Sequence, residues 1–328
     1  MTELALAAFA AETGDHVIRE PRDARFRRFA EHFDERAYRQ RLEAAGIRWV
    51  ARSESGFPRS LASIFDPPAG LFVRGESSLG LLERPAVGVV GARACSSYGS
   101  HVARTFGREL AAAGLLVVSG MARGVDGEAH RGALEAGGQT VAVLGCGVDR
   151  AYPAAHAELA RRIAAVGLVV SEYAPDVEPA PWRFPARNRI VAGLCQVTVV
   201  VEARERSGAL ITADLALEEG REVFAVPGEI TSALSAGTNA LLRVGATVAT
   251  SSADVLDSFG LVPPEVSPPD VSELAGRVLE RLRDGPVSAD ELVRGLALDV
   301  PQVTAALTEL ELYGLLTETS GIFRAARR

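Results

Sequence analysis

The sequence predicts an α/β protein with a doubly wound, Rossmann-like sheet at its centre. In the middle of the chain, short apolar segments alternate with longer stretches of helical periodicity, which is typical of a parallel sheet with crossover helices. The predicted strands are residues 87–91, 115–119, 141–144, 168–171, 197–201 and 223–226. Glycine-containing turns follow several of them, at the sheet edge where such folds bind ligands.

This core is predicted to span residues 71–262, with a smaller module on each side. Residues 1–70 alternate arginine with acidic residues over helical-looking segments, which predicts a helical module. Residues 263–271 carry two Pro-Pro pairs and predict a linker. In residues 272–328 three predicted helices precede a hairpin, so we expect a winged helix.

The composition is that of an ordinary globular chain. Of 328 residues, 48% are hydrophobic and 23% charged, and no run approaches the roughly 18 apolar residues that a membrane span requires. The first ten residues carry Glu3 and no basic segment, so we expect a short helix rather than a signal peptide, and a cytoplasmic protein. The three cysteines contain no Cys-x-x-Cys pair, so neither disulfides nor a metal site are expected.

All 35 basic residues are arginine, because the sequence contains no lysine. The chain therefore cannot form a Walker-type P-loop or a Schiff base, both of which need lysine. A net charge of -7 argues against a uniformly basic nucleic-acid surface. Any nucleic-acid site must be local, and residues 182–206, with five arginines and two glutamates, are the best candidate. On charge alone, a solvated surface explains this patch equally well.

Two turns at strand ends offer groups for a phosphate or a base. In the first, Gly91 lets the backbone approach a ligand, Arg93 can clamp a phosphate or stack on a base, and the Ser96 hydroxyl can add a hydrogen bond. In the second, Gly120 and Arg123 lie in a turn that can form an anion-binding nest. Glycine between strand and helix is also common for packing reasons, so neither turn is decisive alone.

The segment 184–193 predicts a helix that begins at a binding site. Its first turns carry three polar side chains, Arg187, Asn188 and Arg189. Cations destabilise a helix N-terminus unless an anion lies there, which favours a phosphate site, and Phe184 could stack on a base. Buried aromatics beside a solvated helix end would give the same pattern. A further turn, at Ser207 and Gly208, also follows a buried strand and opens a helix.

No pattern in these turns compels catalysis. Asp126 and His130 lie four residues apart and could form an acid–base pair. A helix-capping aspartate and a locally bonded histidine explain them more simply. The turn at Gly145 and Gly147 reaches Arg150 where a dinucleotide fingerprint needs its third glycine. We therefore expect no nicotinamide or flavin cofactor, no metal and no catalytic residue.

Taken together, these motifs resemble the DprA/Smf family of DNA-processing proteins, in order, over about residues 49–250. The matching residues are Gly91-Ala92-Arg93 with Ser96 and Tyr98, 119–126 with His130, Gly145-Cys146-Gly147-Val148-Asp149 with Tyr152-Pro153, Ser171-Glu172-Tyr173, 184–193, 207–212, 220–228 and Gly237-Thr238-Asn239.

The resemblance implies a Rossmann-like core that dimerises, binds single-stranded DNA without a cofactor and loads RecA recombinase during natural transformation. It also implies an N-terminal helical (SAM-like) domain and a C-terminal winged helix. By this likeness, Arg93, Ser96, the segment 184–189 and the turn at Ser207 and Gly208 would line the DNA pocket.

Two other functions are weighed against this expectation. Related Rossmann-like proteins hydrolyse nucleotides with a Gly-Gly-x-Gly-Thr-x-x-Glu turn, but the turn after Gly208 has no glutamate until Glu218, which disfavours a nucleotide-binding or nucleotide-hydrolysing enzyme. The winged helix could bind duplex DNA as a regulator. Its predicted recognition helix, residues 301–313, has no arginine and carries Glu309 and Glu311, so we favour a protein-contact or accessory role.

Overall fold

The structure is a computed structural model that describes residues 2–14, 24–262, 271–319 and 321–325. The chain divides into two compact units, Met1–Pro264 and Glu265–Arg328. The division falls in the predicted linker, of which residues 263–270 lie outside the described part. Within the described part, no helix is long and apolar enough to cross a bilayer.

The first unit is built on one nine-stranded sheet. Its strands are β1 (Ile47–Ala51), β2 (Gly70–Arg74), β3 (Ala86–Val90), β4 (Leu116–Ser119), β5 (Thr140–Val143), β6 (Leu168–Ser171), β7 (Val197–Val200), β8 (Glu222–Ala225) and β9 (Thr247–Val248). The six predicted strands are confirmed as β3 to β8, each within one residue at either end.

The strand order places a topological switch point at the centre of the sheet. The spatial order is β1-β2-β6-β5-β4-β3-β7-β8-β9, and the strands from β6 to β9 in that order are parallel. From β3 the chain builds outward through β4, β5 and β6, then returns to the other side of β3 with β7. In such sheets the crevice beyond the carboxyl ends of the two strands at the switch point is the usual ligand site.

Two antiparallel strands extend the sheet beyond β6. β1 pairs with β2, and β2 pairs with β6. The boundary predicted at residue 70 therefore falls at β2, inside one sheet, and Met1–Pro264 form one compact unit.

Helices cover both faces of the sheet. They are α1 (Glu3–Thr13), α2 (Ala24–His32), α3 (Glu35–Ala44), α4 (Arg59–Ala62), α5 (Ser97–Ala112), α6 (Val125–Glu135), α7 (Ala157–Val166), α8 (Arg183–Leu194), α9 (Gly208–Glu218), α10 (Ala236–Arg243) and α11 (Ser252–Asp257). Successive side chains of a strand point to opposite faces. Val89 packs with α5 and α6, whereas Val90 packs with α8 and α9.

Helices α5 and α6 approach each other almost backbone to backbone. A Cβ atom at Gly107 would overlap the carbonyl oxygen of Ala129, and one at Gly132 would overlap that of Arg104. Glycine at both positions is therefore a packing requirement.

The second unit has the predicted winged-helix organisation. Three helices, α12 (Glu273–Arg283), α13 (Ala289–Leu296) and α14 (Val300–Leu312), pack on β10 (Val287–Ser288), β11 (Leu316–Thr319) and β12 (Ile322–Ala325). The sheet order is β10-β12-β11. Capping boxes at Ser288 and Asp299 fix the starts of α13 and α14.

Candidate nucleic-acid interface

A two-lobed groove, which we name the switch-point groove, lies beyond the carboxyl ends of the parallel strands. The first lobe encloses about 330 Å³ between the turns after β3, β4 and β7 and the first turns of α8 and α9. The second encloses about 490 Å³ beside the turns after β3, β4 and β5. Both lobes are lined by Arg93, Ala94, Gly120, Ala122, Phe184 and Arg187. The groove therefore occupies the crevice that the strand order indicates.

Arginine dominates the lining of the switch-point groove. Four of its arginines are exposed, namely Arg93, Arg123, Arg204 and Arg206. Asp126 is the carboxylate in the lining, and it is buried. An anionic chain would meet a rim of exposed guanidinium groups, although the whole protein is acidic.

An aromatic platform lies in the second lobe, and its Phe184 also lines the first. The rings of Tyr152 and Phe184 stack with centroids 5.2 Å apart and planes inclined by 23°. The guanidinium carbon of Arg93 lies 5.0 Å from the Phe184 centroid, within cation–π range. The candidate residues chosen from sequence omit Tyr152, because it follows β5 in a long turn and not at a helix start. The sequence signal that could have identified Tyr152 is the Tyr152-Pro153 pair, which is one of the motifs that carry the family resemblance.

Arg187 is not exposed as the phosphate site predicted from sequence requires. Arg187 is 4% exposed. Its Nη1 donates to the carbonyl oxygen of Gly120 at 2.7 Å and to that of Val143. Its Nε donates to Oδ1 of Asn188 at 3.2 Å. The side chain forms part of the groove floor, but its hydrogen bonds go to acceptors within the protein.

Arg189 does not line the groove, which corrects its predicted role as a phosphate ligand. Its Nη1 and Nη2 donate to the two carboxylate oxygens of Glu172 at 2.7 and 2.6 Å, and its Nε donates to the backbone oxygen of Asp66 at 2.9 Å. The side chain is only 13% exposed. This bidentate pair ties α8 to the end of β6.

Ser96 is likewise engaged within the protein and does not line either lobe. Its Oγ donates to Glu202 at 2.5 Å, its backbone N–H donates to the same carboxylate at 2.9 Å, and Oγ accepts from Gly99 N–H at 3.0 Å. Ser96 therefore caps α5 and joins the turns after β3 and β7. Its predicted contact with DNA is corrected to this structural role.

The glycines of the predicted site differ in what they permit. A Cβ at Gly91 would lie 2.6 Å from a methyl carbon of Val125, and one at Gly120 would overlap the guanidinium of Arg187. Gly208, by contrast, is exposed with open space around it. It begins α9 behind the cap Ser207. Gly91 and Gly120 thus serve packing, while Gly208 leaves room for a ligand.

Asp126 and His130 have separate partners and do not form an acid–base pair. Oδ2 of Asp126 accepts from the backbone N–H groups of Gly120 and Ala122 at 3.2 and 3.3 Å, so it braces the preceding turn rather than capping the helix. Nδ1 of His130 lies 2.7 Å from Oγ1 of Thr140. Burial, aided by nearby cations, lowers the pKa of His130 to about 3. Among the described residues, no cluster of side chains could hold a metal ion.

The winged helix presents no basic recognition surface on α14. The exposed polar residues of α14 are Gln302, Thr304, Thr308 and Glu311. Glu309 binds the backbone N–H and hydroxyl of Ser272 at 2.6 Å. Reading of a duplex groove by this helix is therefore not favoured.

Comparison with known proteins decides the family. A family model described as DNA recombination-mediator protein A matches residues 48–260, which is more than half of the chain, and the DprA winged helix domain matches residues 262–321. The chain belongs to the DprA/Smf family. The sequence resemblance and the winged helix are thereby confirmed.

Members of the DprA/Smf family match most of the chain. DNA processing protein DprA of Streptococcus pneumoniae is 47% identical over 203 residues, which cover 62% of this chain and 71% of that protein. Protein Smf of Escherichia coli is 40% identical over 299 residues, covering 88% and 79%.

Two solved DprA structures share the fold. The X-ray structure of DprA from Streptococcus pneumoniae matches with a TM-score of 0.66 at 38% identity, covering 77% of this chain and 91% of that one. DprA from Helicobacter pylori, whose structure is described as revealing a single-stranded DNA binding mode, matches with a TM-score of 0.59 at 31% identity, covering 66% and 97%.

Proposed function

We propose that this chain binds single-stranded DNA in the switch-point groove without a cofactor. The observation that carries the proposal is the placement of exposed arginines and a stacked aromatic pair along one edge of the sheet. Arginines that neutralise phosphates release counterions, and aromatic rings stack on unpaired bases, so together they bind single strands with little sequence preference.

The two lobes provide complementary contacts for such a strand. In the first lobe, Arg204, Arg206 and the open start of α9 at Gly208 meet phosphate oxygens. In the second, Arg93 and Arg123 flank the platform on which a base stacks. Of the residues chosen from sequence, those that remain proposed contacts are Arg93, Arg123, Phe184, Asn188, Ser207 and Gly208.

Family membership extends this proposal beyond binding. We propose that the chain acts as a homodimer joined through its core, in the cytoplasm, that it protects single strands and that it promotes their loading with RecA during natural transformation. The support is the likeness to proteins named for DNA processing. Electrophoresis of single-stranded and duplex oligonucleotides at physiological salt, with and without RecA, tests the strand preference and the loading step.

The binding step is tested by fluorescence anisotropy with a labelled oligo(dT) over a series of salt concentrations. Arg93→Ala and Arg123→Ala should each weaken binding. Each should also make the negative slope of log K against log salt shallower by about 0.7, the value for one lost phosphate contact on a single strand. Arg74→Ala is the matched control. Arg74 is exposed at the opposite edge of the sheet, where it pairs with Val169 near the amino end of β6.

The control should bind as the wild type does. If Arg93→Ala and Arg123→Ala also bind oligo(dT) with unchanged affinity and slope, the groove is not the binding site.

A further inference from the structure

The turn after β4, residues 120–123, borders both lobes of the switch-point groove, and we name it the rib. Gly120 and Ala122 lie on this rib and line both cavities. The rib is held from two sides by buried groups of opposite charge. Arg187 is 4% exposed and Asp126 is 6% exposed.

Arg187 holds the carbonyl side of the rib. Its Nη1 donates to the carbonyl oxygens of Gly120 and Val143, which end two neighbouring strands. The guanidinium lies directly against Gly120, because a Cβ there would contact both of its terminal nitrogens. Nη1 therefore joins the carboxyl ends of β4 and β5 and fixes them relative to each other.

Asp126 holds the amide side of the same rib. Its Oδ2 accepts from the N–H groups of Gly120 and Ala122. These are the amides that would form the anion-binding nest predicted from the sequence, so the protein's own carboxylate fills that nest. Burial raises the pKa of Asp126 and lowers that of Arg187, while each charge opposes the shift of the other.

We infer that Arg187 and Asp126 are positioning residues that set the shape of the rib between the two lobes, and that neither binds a phosphate of the strand. The inference rests on the proposed function. Because the opposite charges of Arg187 and Asp126 offset each other in the groove floor, the exposed arginines of the rim bind the phosphates. Arg187 then matters for binding without contributing to its salt dependence.

Salt titrations of oligo(dT) binding separate this role from that of a phosphate ligand. Arg187→Ala should weaken binding about tenfold, which corresponds to about 1.4 kcal/mol, at an unchanged salt slope. Arg187→Lys should be nearly as weak, because lysine lacks the planar fork that lies against Gly120 and the Nε–H that donates to Asn188. A phosphate ligand would behave differently, since lysine would preserve the charge and with it both the slope and most of the affinity.

Gly120→Ala gives a second measurement in case Arg187→Ala fails to fold. Its added Cβ displaces the guanidinium while every charge stays in the chain. We expect weaker binding at unchanged slope, and no further effect when Gly120→Ala is added to Arg187→Ala, because both changes disrupt the same contact.

The outcomes distinguish the inference from the function on which it rests. If the wild type binds oligo(dT) with a slope that depends on Arg93, but Arg187→Ala lowers the slope by about 0.7, then Arg187 is a phosphate ligand and the positioning role is wrong. Wild-type binding by Gly120→Ala would also overturn it. If the wild type does not bind oligo(dT), the proposed function fails and the inference fails with it.

Discussion

Neighbouring side chains hold the ring of Phe184 in place in the switch-point groove. Tyr152 stacks on the ring and Arg93 lies over it. Tyr152 is 42% exposed, so part of the platform is open to a base. A base stacked there would contribute on the order of 1–3 kcal/mol, independently of its identity. Under the proposed function, such stacking would favour single strands, because duplex bases already stack on one another.

His130 is the residue whose burial has the clearest consequence for pH dependence. Its pKa is about 3 in the folded protein, and the ordinary value is near 6.5. As pH falls below 6.5 the unfolded chain takes up the proton first, so stability present at neutral pH is lost progressively down to about pH 3. Between pH 7 and pH 5 this single group should cost about 2 kcal/mol of unfolding free energy.

Denaturant unfolding of the wild type and His130→Asn at the two pH values measures this contribution. Asparagine can keep a hydrogen bond to Thr140 but does not titrate, so the variant should lose about 2 kcal/mol less between pH 7 and pH 5. An equal loss in both proteins would show that His130 is not held neutral by burial.

At the scale of the residue, arginines that are close together in the sequence lie in different places in the fold. Residues 182–206 carry Arg187, Arg189, Arg204 and Arg206 in one basic stretch. Arg204 and Arg206 do reach the groove rim, but Arg189 is paired with Glu172, seventeen residues earlier in the chain. The partner of a charge depends on tertiary contacts, and charge patterning along the chain contains no information about them.

Among the elements, the buried parallel strands were predictable and the antiparallel pair was not. Strands β3 to β8 are short apolar runs bounded by turns, a pattern that parallel sheets impose because both faces are covered. β1 and β2 are joined by a segment whose helix, α4, has only 4 residues, so the alternation of strands with long helices did not indicate them. Their place in the sheet follows from the pairing of β2 with β6.

The close packing of α5 on α6 gives a prediction at the scale of the element. Gly132→Ala places a methyl group against the carbonyl oxygen of Arg104, so it should destabilise the first unit by about 1–3 kcal/mol. Gly276→Ala in α12 meets open space and should stabilise the second unit by about 0.5–1 kcal/mol, because alanine is the better helix former. Thermal unfolding of the two variants measures both changes in stability. An unchanged stability of Gly132→Ala would contradict the close packing of α5 on α6.

On the scale of the whole molecule, the switch-point groove lies entirely within the first unit. Its lining residues fall between Val90 and Thr212. A chain that ends at Val262 should therefore bind oligo(dT) within about threefold of the full chain, since the first unit has a core of its own. Anisotropy titrations of the two chains compare them. A loss of more than tenfold would place part of the strand on the winged helix.

Photo-cross-linking of the full chain to a 4-thiothymidine oligonucleotide tests directly whether the strand lies in the switch-point groove. Mass spectrometry of the cross-linked peptides should find adducts at Tyr152 or Phe184 and in the turns 91–94, 120–123 and 204–208. Adducts confined to the second unit or to α2 and α3, with none in those turns, would contradict this placement of the strand.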